Sequence, residues 1–108
     1  MSNRYIGTWR ILEMEQWDKA SIDLVVPGYI TFRADHLGEF QFGAVHGDLD
    51  YHIEPYQETE RLEFSWEGED ETDPVSGRGW AMIKDGQLQR RIYFHEGDES
   101  GFVAEKQG

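Results

Sequence analysis

The chain holds no cysteine, which rules out disulfides, thiolate metal ligands and cysteine nucleophiles and suits a reducing compartment. Positive charge is scarce: 10 Lys and Arg stand against 22 Asp and Glu, a formal net charge of −12. Nucleic acid is therefore excluded as a partner, because phosphate binding depends on clustered cations and Arg90-Arg91 is the sole adjacent basic pair. Long apolar runs are missing too. Nothing approaches the roughly 18 residues of a membrane helix, and the opening Met1-Ser2-Asn3-Arg4-Tyr5-Ile6 lacks the apolar stretch of a signal peptide. These absences predict a cytoplasmic chain with no membrane partner. No cofactor motif is present either, and none is expected to bind.

Helical periodicity is also rare, and what fills the chain instead is aromatic alternation. Four Trp, five Tyr and six Phe in 108 residues are enough large side chains for one compact core, so residues 1–108 read as a single domain. Strand signals recur about every ten residues between Gly, Asp and Pro punctuation. Phe40, Phe42 and Ala44 alternate with Glu39, Gln41 and Gly43; Leu62, Phe64 and Trp66 alternate with Arg61, Glu63 and Ser65. Asp35-His36-Leu37-Gly38, Gly47-Asp48 and Asp85-Gly86 read as turns, residues 68–77 as a long acidic loop, and Pro55 as a strand end. Asp18 can cap one short helix near residues 18–25, which places Ile22, Val25 and Val26 at helical spacing before Pro27-Gly28 stops it. Seven or eight strands on short connections predict an all-β, antiparallel up-and-down meander. Closure into a small barrel removes the exposed edges.

Two resemblances follow from short motifs. Gly7-Thr8-Trp9 resembles the opening Gly-x-Trp of lipocalins and other calycins, which implies a lipocalin-like barrel with Trp9 plugging one end. Glu39–Gly43 (EFQFG), Phe64–Gly68 (FSWEG), Ser76–Trp80 (SGRGW) and Tyr93–Asp98 (YFHEGD) resemble a group of small uncharacterised bacterial proteins, which implies a complete domain and no particular activity.

Polar residues on core parities are the most informative about chemistry, because a buried charge must find a partner. Arg90 shares parity with Leu88, Ile92 and Phe94, while Glu13 and Glu15 share theirs with Trp9 and Ile11. The expectation is an inward Arg90 paired with Glu13 or Glu15. Such a pair either plugs the barrel mouth or orients a ligand between walls of Trp9, Phe42, Trp66 and Trp80. His36, His46, His52 and His95 lack the short spacing of metal ligands, and the acidic segment Glu67–Asp73 lacks the pattern of an EF-hand, so no metal site is expected. No nucleophile elbow is present.

Three classes of function fit. The first is a non-enzymatic binding domain that holds a small apolar or aromatic ligand inside the barrel. The second is a protein interaction module that uses its acidic face, the outer aromatics Tyr29, Tyr56 and Tyr93, or a homodimer contact. The third is a small barrel enzyme built on inward Glu and Arg residues, with one carboxyl raised in pKa by burial.

Overall fold

The alternating aromatics and hairpin turns produce eight antiparallel strands in a computed structural model that describes residues 3–107. They are β1 (Gly7–Met14), β2 (Tyr29–Phe32), β3 (Leu37–Phe42), β4 (Val45–Tyr56), β5 (Thr59–Asp70), β6 (Asp73–Lys84), β7 (Gln87–Phe94) and β8 (Glu99–Lys106). Each strand pairs with the next, and β1 closes the barrel on β8 through Trp9↔Lys106 and Met14↔Phe102. The expected meander is therefore observed. Asp85 and Gly86 both take positive φ, the backbone of a two-residue hairpin that matches strand twist.

Several boundaries differ from the sequence reading. The chain turns at Gly43–Ala44, with Gly43 at φ 58°, and not at Gly47-Asp48; Gly47 lies inside β4, paired with Phe40 and Gly68. A Cβ on Gly47 would stand 2.6 Å from Phe40 and 2.9 Å from Trp66, so this glycine makes room for two rings. The expected loop 68–77 is strand: Gly68, Glu69 and Asp70 pair with Val75, Pro74 and Asp73 around a tight turn. Pro74 and Pro55 are tolerated because each lies where its strand has a single ladder neighbour.

The helix α1 is one turn, Lys19–Ile22, capped by the Asp18 carboxylate accepting from the Ser21 amide at 2.8 Å. Ile22 is buried, but Leu24 and Val25 are 71% and 62% exposed, so the expected helical face of Ile22, Val25 and Val26 does not form.

The core runs through the barrel interior: Trp9, Ile11, Ile30, Phe32, Phe40, Phe42, Leu49, Tyr51, Leu62, Phe64, Trp66, Leu88, Ile92 and Phe102 are all buried. Phe40 meets Trp66 edge-on at 5.0 Å and stacks on Phe42 at 5.8 Å. One end is covered by Trp17 lying over Phe42 and Phe94, the other by Tyr5, whose carbonyl accepts the Trp9 indole N–H at 2.9 Å. In a barrel of eight strands, side chains of this size occupy the interior themselves. Among the described residues no helix is long and apolar enough to cross a membrane.

Candidate functional site

Three of the seven residues expected to line an internal site, Trp9, Phe42 and Trp66, do face inward and belong to the packed core. The other four do not. A β-bulge between Ile11 and Glu13 makes Leu12 an extra residue, so parity flips: Met14 opposes Phe102 while Glu13 and Glu15 are exposed. Trp80 also points outward, because the inward positions of β6 are Gly77, Gly79 and Ala81, opposite Trp66, Phe64 and Leu62. A Cβ at Gly79 would meet the Phe64 ring at 2.3 Å, so β5 supplies the bulk and β6 supplies the space.

Arg90 stands at an inward register position, between Ala81 and Phe102, yet does not point into the core. Its backbone has φ 151°, outside the range most side chains adopt, and its guanidinium carbon lies 5.6 Å from the Trp80 ring centre. The expected ion pair is made by its neighbour. Arg91 reaches Glu15 at 2.9 Å and Glu99 at 3.4 Å on the surface, and the bond to Glu15 raises the Arg91 pKa above its ordinary value.

What gathers instead is an outer-wall cluster centred on Trp80. Tyr56 packs edge-on against it at 5.6 Å, and Arg61 lies 5.4 Å from the Trp80 ring and 4.7 Å from the Tyr56 ring. Arg78 lies 5.1 Å from the Tyr93 ring, and the Trp80 indole separates two open clefts. One, of about 520 Å³, is lined by Asp50, His52, Arg61, Arg78, Trp80 and Tyr93. The other, of about 490 Å³, is lined by Glu13, Glu15, Trp80, Arg90, Arg91 and Phe102.

No family model, curated protein or solved structure matches this chain. What the wall can do therefore rests on its own geometry.

Arg61 donates from Nε to Glu54 at 2.8 Å and forms an ion pair with Glu63 at 2.9 Å. Its hydrogen bond holds the Glu54 carboxyl below the usual carboxylate range. His52, directly opposite Glu63 on the ladder, turns Nε2 toward both glutamates, and the three side chains offer ligand atoms within 4.8 Å of one another. Sequence spacing among histidines alone misses this group. The usable signal is His52 and Glu54 two apart on one strand face, brought against Glu63 by the hairpin register. Of the three outer tyrosines, Tyr56 and Tyr93 join the Trp80 wall. Tyr29 instead donates to Glu39 at 3.0 Å, where His46 also bonds the same carboxylate at 3.0 Å.

Proposed function

We propose that this protein is a non-enzymatic binding module whose working surface is the outer wall around Trp80, and whose partner is a protein segment bearing carboxylates beside an apolar or aromatic side chain. One observation carries the reading. Among the described residues Arg78 and Arg90 have no carboxylate within 4.0 Å, and each lies against an aromatic ring, Tyr93 or Trp80. A chain of net charge −12 has acids in excess, so guanidiniums left without one are available to a carboxylate from outside. Trp, Tyr and Arg are also the residue types that anchor protein interfaces. The chain's overall negative charge acts weakly on such a contact, because charges beyond about 10 Å are screened at moderate salt.

The packed interior supports moving the binding reading from inside the barrel to its wall. The enzyme reading loses its premise, since Glu13 and Glu15 are exposed. The test is an NMR titration of the labelled protein with a glutamate-rich peptide carrying one Phe, beside the same peptide with lysines. The glutamate peptide is expected to shift the Trp80 indole and the Arg78 and Arg90 signals. Arg78→Glu with Arg90→Glu should weaken it at least about tenfold, roughly 1.4 kcal/mol. Equal binding of both peptides, or shifts confined to another face, overturns the proposal. Self-association abolished by the same double variant identifies a second copy of this chain as the partner.

A further inference from the structure

We infer that His52, Glu54 and Glu63 form a binding site for a divalent transition-metal ion, zinc by preference, on the outer face of the β4–β5 hairpin. The sheet itself builds the site. His52 and Glu54 are two apart on β4 and so share a face, and Glu63 sits directly opposite His52 on β5. Facing cross-strand Cβ atoms stand about 4.5–5.5 Å apart, a span that side chains of this length close over a shared point.

The distances favour a shared ion over simple pairing. His52 Nε2 is 3.6 Å from Glu54 Oε2 and 3.5 Å from Glu63 Oε2. Both exceed the roughly 2.7–3.2 Å of a hydrogen bond between nitrogen and oxygen. They match the edge of a tetrahedron around zinc, which for ligand bonds of about 2.0–2.2 Å comes to about 3.4 Å.

The division of labour between oxygens points the same way. Arg61 binds Oε1 of Glu54 and Oε1 of Glu63, leaving Oε2 of both turned toward the imidazole. A hydrogen bond to the far oxygen of Glu54 and an ion pair to that of Glu63 are the kind of outer-shell contact that orients metal ligands.

Charge and access agree as well. With a neutral imidazole, two carboxylates and one guanidinium carry a net −1, which a divalent ion reverses in a chain of net charge −12. Imidazole and carboxylate are both ligands that zinc takes, at the bond lengths that give this edge. The His52 side chain is 61% exposed, so an ion enters without any rearrangement, and the coordination positions these three residues leave open fall to water or to a carboxylate in the adjoining cleft.

The experiment titrates the folded full chain with zinc chloride at pH 7.5, following the histidine ring signals by NMR and the heat by calorimetry. One equivalent should move the His52 ring while His36, His46 and His95 stay in place. His52→Ala and Glu63→Gln should each weaken binding by more than the roughly 10–100-fold that loss of an outer-shell partner costs. Both positions lie on the solvent side of the sheet, and a far-ultraviolet spectrum confirms that the variants keep the fold. Absence of heat, heat that survives His52→Ala, or movement centred on His46 or His95 overturns the site. Arg90→Glu, at a residue with no contact to His52, Glu54, Glu63 or Arg61, should leave zinc uptake intact, which separates this site from the proposed docking of a carboxylate partner.

Discussion

Replacing Gly47 by Ala tests how the barrel interior is packed. The backbone of Gly47 does not take a positive φ, so an added methyl meets no conformational penalty and only contacts matter. That methyl would lie 2.6 and 2.7 Å from two atoms of the Phe40 ring and 2.9 Å from Trp66, with both rings buried. Overpacking of this kind costs about 1–3 kcal/mol. Reduced freedom of the unfolded chain returns about 0.4–1 kcal/mol. A net loss of about 1–2 kcal/mol is expected, which for a domain of this size lowers Tm by roughly 5–15 °C. Phe40→Leu shortens the side chain that the methyl strikes. Combined with Gly47→Ala, it should give a double variant more stable than the sum of the single losses predicts, by about 0.5–3 kcal/mol. The assay is chemical denaturation of the wild type and the three variants. Strict additivity, or a neutral Gly47→Ala, would refute the claim that Gly47 is there to admit the Phe40 and Trp66 rings.

Trp66→Ala should cost about 3–5 kcal/mol because it empties the core, whereas Trp80→Ala should cost about 0.5–1.5 kcal/mol for the lost aromatic pairing, read from denaturation midpoints. Asp18→Ala removes the cap of α1 and should loosen that turn, with amide exchange accelerating at Ser21 and Ile22. Glu39 is held below the usual carboxylate range, first by its hydrogen bond to His46 and next by that to Tyr29. Its folded pKa is depressed, so its stabilisation is complete above the ordinary glutamate pKa of about 4.3 and is lost as pH falls through the folded value. Stability measured from pH 6 to pH 2 should fall less steeply in Glu39→Gln.

Much of the core was legible because alternation is a local property. Leu62, Phe64 and Trp66, Phe40 and Phe42, and Leu49 and Tyr51 all lie on the face their parity predicts. The Asp85-Gly86 hairpin and the Asp18 cap are legible for the same reason, since both depend on a few adjacent residues. The candidate site was less so. Tyr56 and Tyr93 were read as outward, but nothing local tells that Arg61 and Arg90 converge on Trp80 from different strands.

The sequence by itself thus determined the class of fold, through the two-residue period, the turn residues and the want of helical spacing. It also determined the composition limits: no thiol chemistry and a formal net charge of −12. The tertiary structure decided the phase. One extra residue at Leu12 turned Glu13 and Glu15 outward, and the bulk of β5 required Gly77, Gly79 and Ala81 to face in, which sent Trp80 out. It alone set His52 against Glu63, because cross-strand neighbours are fixed by register. Parity repeats along one strand, whereas the face that it points to is chosen by what the neighbouring strands leave room for.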